Sequence, residues 1–296
     1  MKLVALMAAR NEGYELGMTA RAALMWCDAI VLLNHASADD TAQVIAEVEQ
    51  EHPGRVVSLY EPDPVWREMT HRQMMLDHAR HIGATHIAYV DADEILTGSL
   101  LESIRPWTAE LPAGVMLMLP WLQLRDSLTE VMSTGMWAQQ NASVIFRDEP
   151  RLHWAARDGY DFHQREPLGR EWGPRLYPVG RASRVDGLMH MQFVSMDRLR
   201  LKQLAYCLTE RIRWPEKRAP AEIVAMYGRT VREAERASVA PTPGHWWQPY
   251  GHLKRYLDLD REPWQRAQCL EVLRAHPGVE CGLDDFGTRM FAETGR

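Results

Sequence analysis

Asp91-Ala92-Asp93 sets two carboxylates two residues apart, at the end of the apolar run His86-Ile87-Ala88-Tyr89-Val90. On extended backbone, residues i and i+2 face the same side. The spacing therefore predicts paired oxygen ligands for a hard divalent cation such as Mg2+ or Mn2+. A second copy, Asp258-Leu259-Asp260, falls in a segment read as helical, where the two side chains diverge. Arg10-Asn11-Glu12, Asn34 with Asp39, and Glu61 with Asp63 follow three further apolar runs. His190, between Met189 and Met191, reads either as an imidazole ligand or as a core histidine. Arg198 and Lys202 are one helical turn apart and suit a diphosphate or a solvated face. The chain holds no Gly-x-Gly-x-x-Gly after its first apolar run, no P-loop, no His-Glu-x-x-His and no Gly-x-Ser-x-Gly. Dehydrogenase, ATPase, zinc protease and serine hydrolase chemistries therefore find no support.

The elements that must carry these residues alternate regularly through the first ninety positions. Leu3–Met7, Ala29–Leu33, Arg55–Tyr60 and His86–Val90 read as strands, the continuous apolar runs as strands buried on both faces. Helical patterns fill 14–26, a stretch from Asp39 or Asp40 to Glu51, and 66–82. Such alternation predicts an α/β fold with a mostly parallel sheet flanked by helices. Ligands of such sheets sit at the carboxyl ends of the strands, where all four polar clusters fall. Val115–Leu124 and Ala142–Phe146 read as further strands, and 148–186 as long loops of the kind that carry function. Helices are expected over 196–213, 220–238 and 263–275, giving a main domain at 1–195 and a helical C-terminal extension at 196–296. The aromatic group His245-Trp246-Trp247-Gln248-Pro249-Tyr250 reads as a plug between tail and main domain, with stacking on sugars or bases as the other use of such rings.

Composition places the chain among ordinary globular proteins. Its 296 residues are 46% hydrophobic and 25% charged, with a net charge of −6. That balance excludes a strongly basic nucleic-acid binder. Four dispersed cysteines argue for thiols in a reducing cytoplasm rather than a disulfide or zinc scaffold. No apolar run approaches the length of a membrane span. A cytoplasmic protein is expected, with peripheral attachment at the inner membrane face left open.

Several of these motifs, taken in order, resemble the family 2-like glycosyltransferases of GT-A fold, bacterial type. Ala9-Arg10-Asn11-Glu12 is similar to the end of their first strand. Asn34-His35-Ala36-Ser37-Ala38-Asp39-Asp40-Thr41 fills the place of their Asp-Asp-Gly-Ser-x-Asp-x-Thr loop, with Asn, His and Ala at its first three positions. Asp91-Ala92-Asp93-Glu94 is similar to their metal-binding strand end. Leu188-Met189-His190, followed by Lys202-Gln203 and Tyr206, resembles the segment that supplies a histidine ligand. Asn141–Arg147 with Tyr160–Glu166 resembles their acceptor-side strand and loop, without the usual Glu-Asp pair.

The resemblance covers about residues 1–210 and implies transfer of a sugar from a nucleotide-diphosphate sugar, UDP-sugar foremost, to an acceptor hydroxyl. It implies Mn2+ or Mg2+ on Asp93, His190 and Asp91. Nucleotide-sugar binding would fall to Ala9, Arg10, Glu12, Asn34, Asp39, Arg72, Asp91, Ala92 and Lys202. The base of an inverting reaction would be one of Asp161, Asp158, His163 and Glu166, and a retaining enzyme needs none. The acceptor stays open between a saccharide, a protein, a small molecule and a modified nucleic acid, as does assembly into a homodimer. A non-catalytic nucleotide-sugar-binding member, a nucleotide-sugar hydrolase and a nucleotidyltransferase are the alternatives.

Overall fold

A computed structural model describes residues 1–161, 164–170, 175–176, 185–277 and 279. In chain order the first elements are β1 (Leu3–Ala9), α1 (Leu16–Leu24), β2 (Ala29–His35), α2 (Thr41–Glu51), β3 (Val56–Glu61), α3 (Glu68–His81) and β4 (His86–Tyr89). Next come β5 (Glu94–Leu96), α4 (Ile104–Ala109), β6 (Met116–Arg125), β7 (Glu130–Met132), β8 (Asn141–Arg147), β9 (Arg175–Leu176) and β10 (Leu188–Phe193). The chain ends its described course with α5 (Met196–Arg213), α6 (Pro220–Arg236), β11 (Val239–Pro241), α7 (Gly244–Trp247) and α8 (Gln265–Ala275). The α/β reading holds, and the long strands and helices lie where the apolar patterns put them.

By the density of their contacts the residues divide into two units. The first takes Met1–Leu122, Gln140–His190 and Pro243–Leu259; the second takes Gln123–Gln139, Met191–Thr242 and the residues from Asp260 on. Pro243–Leu259, expected in the helical extension, thus belongs with the first unit.

In the first unit β4, β1, β2 and β3 run parallel, in that order. β8 lies antiparallel on the other side of β4, and the Met116–Pro120 stretch of β6 antiparallel to β8. Alternate residues of the apolar runs feed opposite faces, as strand geometry dictates. Leu3, Ala5 and Met7 with Ile30 and Leu32 pack among Leu16, Ala20, Ile45 and Val48 of α1 and α2. Val4, Leu6, Val31 and Leu33 meet Met69, Met75, Leu76 and Ala79 of α3. Trp246, Trp247 and Tyr250 are buried in the same unit, and the Trp246 indole N–H donates to the Val185 carbonyl at 2.7 Å. Pro249 lies so close to Gly98 that an added Cβ would stand 2.5 Å from its ring. Asp258-Leu259-Asp260 is not helical: it follows a 3-10 segment ending at Tyr256, and the Asp258 N–H donates to the Tyr14 carbonyl at 2.8 Å.

In the second unit Leu201, Leu204, Cys207 and Leu208 of α5 pack with Ile223 and Tyr227 of α6 and with Cys269 and Leu273 of α8. The Tyr227 hydroxyl donates to the buried Glu210 carboxylate at 2.8 Å. β7 pairs antiparallel with β11. Cys27, Cys207 and Cys269 are buried and form no disulfide; Cys281 lies outside the described residues. Among the described residues no helix is long and apolar enough to cross a membrane.

Candidate active site

Loops after β1 and β2 are stitched together by their own polar residues. Asn11 takes a positive φ of 55°, and its side-chain oxygen accepts from Ala38 N at 2.6 Å. Asn11 N donates to Ser37 Oγ at 2.9 Å, Glu12 N to Thr41 Oγ1 at 3.0 Å, and Gly13 N to Asp39 Oδ2 at 3.1 Å. Asp39 Oδ1 also receives Thr41 N, so this carboxylate caps the start of α2. Asn34 Oδ1 accepts from Ser37 N at 3.1 Å, which closes the turn after β2. Ala36, at the position where the resembled loop carries Gly, sits at φ 45°.

Arg10 donates to the Pro64 carbonyl at 2.6 Å, and burial holds its pKa below the ordinary arginine value. His35 donates from Nε2 to the Asp63 carbonyl at 2.9 Å, with its ring centroid 4.4 Å from that of His71. Burial lowers the pKa of both imidazoles, and His71 falls to about 4.

Past β4 the backbone is not extended. Glu94 N donates to the Asp91 carbonyl at 3.0 Å and Asp91 N to Glu94 Oε2 at 2.8 Å, closing a turn. The expectation of two carboxylates side by side on extended backbone is corrected here: the turn gives them different partners. Asp91 Oδ2 meets Arg165 Nη1 at 3.0 Å. Asp93 Oδ2 meets His190 Nε2 at 3.2 Å, both side chains being buried. β10 makes this contact by pairing antiparallel with β5, with His190 opposite Glu94. The His190 ring lies against the Trp121 indole, centroids 4.5 Å apart and planes 14° from parallel. Two donor atoms about 3 Å apart match one edge of an octahedron with bonds of 2.0–2.1 Å. Asp93 and His190 thus have donor types and a spacing that would suit a divalent ion. Among the described residues no group of three or more His, Cys, Asp and Glu is placed to hold a metal ion.

Glu94 is fully buried and takes both ends of the Arg165 guanidinium, Nη1 to Oε1 at 2.9 Å and Nη2 to Oε2 at 2.7 Å. Burial raises the Glu94 pKa against the lowering pull of Arg165. Arg165 itself loses by desolvation, but Glu94 and Asp91 outweigh that loss and raise its pKa. Sequence reasoning gave neither Glu94 nor Arg165 nor Trp121 a role. Glu94 adjoins the two aspartates and could have been weighed with them; Arg165 and Trp121 carry no spacing signal.

The remaining sequence candidates scatter. Asp161 is buried and accepts from Met69 N at 2.5 Å, so it caps α3. Asp158 is exposed in a tight turn between Arg157 and Tyr160. His163 lies outside the described residues. Glu166 accepts from Ser143 Oγ at 2.7 Å and pairs with Arg170 at 2.5 Å. Arg72 is buried, pairs with Glu68, donates to the Gln164 carbonyl at 2.6 Å and lies over the Tyr89 ring at 4.0 Å. Ala9 closes β1, Ala92 is buried in the 91–94 turn, and Lys202 stands on α5 in the second unit.

No protein-family model matches the chain, and no curated protein matches it. Solved structures similar to it include Staphylococcus aureus TarS 1-349 in complex with UDP-GlcNAc, 10% identical, covering 99% of this chain and 88% of that one at a TM-score of 0.43. Mannosyltransferase PcManGT from Pyrobaculum calidifontis, in complex with GDP-Man and Mn2+, is 13% identical over 99% of this chain and 79% of its own, with a TM-score of 0.41. Glucosyl-3-phosphoglycerate synthase from Mycobacterium tuberculosis, with Mn2+, UDP and glucosyl-3-phosphoglycerate, is 18% identical over 41% of this chain and 44% of its own, with a TM-score of 0.28.

Proposed function

We propose that this chain is a glycosyltransferase that moves a sugar from a nucleoside-diphosphate sugar, with UDP-sugars foremost, to an acceptor hydroxyl. The observation that carries the reading is the Asp93–His190 contact of 3.2 Å, formed by residues far apart in the chain. The motif resemblance assigns those two residues to one divalent ion, and the contact agrees with it. The loops after β1 and β2 follow parallel strand ends, the edge where such sheets bind ligands.

In this reading Asp93 and His190 hold Mn2+ or Mg2+, and an oxygen–nitrogen donor pair suits Mn2+ the better. The bound ion supplies Lewis-acid stabilisation of the diphosphate leaving group. Trp121 holds the His190 ring by stacking, and the 91–94 turn sets the Asp93 carboxylate against it. Glu166 is the base we favour for the acceptor proton. Asp161 is committed to the N-terminus of α3, whereas Glu166 is half-buried beside Ser143, whose carbonyl also accepts from Arg165. A carboxylate held by an arginine and a hydroxyl keeps a lone pair for a proton.

A thermal-shift panel of UDP, GDP and CDP and their sugars, with Mn2+, Mg2+ or EDTA, tests the donor, since a ligand of the native state raises Tm by mass action. The expected outcome is a shift that needs both nucleotide and metal. Asp93→Asn should remove its metal-dependent part and cut turnover by about a hundredfold or more, the several kcal/mol a Lewis-acid ion supplies. Unaltered turnover in that variant would sink the metal role. Sugar release without any acceptor would mark a hydrolase instead.

A further inference from the structure

The Arg165 guanidinium has five N–H bonds, and each finds an acceptor within the protein. Nε donates to the Ser143 carbonyl at 2.8 Å and Nη2 to the Tyr89 carbonyl at 3.1 Å. The other three reach carboxylates: Asp91 Oδ2 at 3.0 Å, Glu94 Oε1 at 2.9 Å and Glu94 Oε2 at 2.7 Å. The Tyr89 and Trp121 rings flank the cation at 5.2 and 5.5 Å. Of the three carboxylates in the 91–94 turn, two therefore face one fixed internal cation, and Asp93 faces His190. A bidentate, stacked arginine is held in place by geometry as well as by charge.

We propose that Arg165 is a built-in counter-cation that withholds Asp91 and Glu94 from the divalent ion. Asp93 and His190 are left as its protein ligands, and tight binding of the ion requires a nucleoside diphosphate to bind with it. A fixed positive charge beside the turn repels a second cation. An ion with two protein ligands must complete its shell from water or from phosphate oxygens, and the diphosphate brings both oxygens and negative charge. Ion and nucleotide then tighten each other's binding by the same factor. Arg165 is in these terms a positioning residue. The inference rests on the glycosyltransferase reading only in needing a divalent ion at Asp93 and His190.

Mn2+ titration of the 296-residue chain, followed by the electron paramagnetic resonance signal of unbound Mn2+ with and without UDP, tests it. For the wild-type protein UDP should tighten Mn2+ binding by about tenfold, within the usual range of coupling between sites. Glu94→Gln with Arg165→Met removes the buried carboxylate together with its partner, so no charge is stranded, and releases Asp91. That double variant should bind Mn2+ about tenfold more tightly than wild type in the absence of nucleotide, with a coupling to UDP that shrinks accordingly. A merely structural arginine would give no gain on removal. Asp91→Asn decides the matter should the double variant not fold: its Mn2+ affinity should stay within about twofold of wild type, against a loss of tenfold or more for Asp93→Asn. No gain in the folded double variant, or an equal loss from Asp91→Asn and Asp93→Asn, overturns the proposal alone. Absence of Mn2+ binding by the wild type with UDP, GDP and CDP removes the metal reading and the proposal together.

Discussion

His35 and His71 make a buried imidazole pair, their rings packed against each other and against Trp66. Burial is the main force on His71, with His35 and Arg67 adding to it while Glu61 and Glu68 pull the other way. The folded value of about 4 lies below the ordinary value of 6.5. An unfolded chain therefore gains this proton near pH 6.5, whereas the folded one resists it until about pH 4. Stability from this group is full above pH 6.5 and drains away as the pH falls toward 4. His71→Gln should flatten that part of the curve of Tm against pH, and an unchanged slope between pH 6.5 and 5 would take His71 out of the account. Nothing in the sequence announced this pair. His35 was legible as an oddity of the loop after β2, but only the approach of α3 brings His71 to it.

Among the elements, the turn between β2 and α2 carries a definite cost. A non-glycine residue at the left-handed conformation loses about 1–2 kcal/mol, and Ala36 has no side-chain group to offset it. Ala36→Gly relieves that strain while giving the unfolded chain about 0.4–1 kcal/mol of extra entropy to lose. The net expectation is a gain of about 0.5 kcal/mol, read as a rise of one or two degrees in Tm by the usual scaling for a chain of this size. A fall in Tm would mean that the Ala36 methyl makes contacts worth more than the strain.

Legibility at this scale followed length and pattern. β1 is a run of seven apolar residues and β2 opens with five, and runs of that length between turn residues read as buried strands. β5, β7 and β11 have three residues each, too few for any periodicity to register. β10 hid for another reason: His190 and Gln192 break its apolar run, and its role depends on pairing with β5. The 91–94 turn escaped because one of its closing bonds joins backbone groups, which leave no trace in residue types, and the other uses Glu94, which sequence reasoning gave no role.

For the whole molecule, the division at 195 drawn from sequence missed a return of the chain. Helices do form over Met196–Arg213, Pro220–Arg236 and Gln265–Ala275, but patterning does not say which core an element joins. Pro243–Leu259 goes back to the first unit, where Trp246 is buried to 2% exposure. Trp246→Ala should cost about 3–5 kcal/mol, the usual range for a buried tryptophan, measured as a loss in the denaturation midpoint. A chain ending at Thr242 should lose more than that variant, since Tyr250 and Leu253 leave with it. Undiminished cooperativity and midpoint in such a truncation would show that the first unit holds together without Pro243–Leu259.

The same return constrains how the protein is made. Tyr256 lies over Arg21 of α1 at 3.8 Å, and its Cβ would stand 3.1 Å from a Cβ added at Gly17. That face of α1 is thus completed by residues synthesised more than two hundred positions later. On the ribosome the β1–β4 core emerges early and must wait, at roughly 5–20 residues per second, for tens of seconds before its covering segment appears. During that interval α1 offers an incomplete surface to solvent, so the nascent chain should be a client of holdase chaperones until residue 256 clears the exit tunnel.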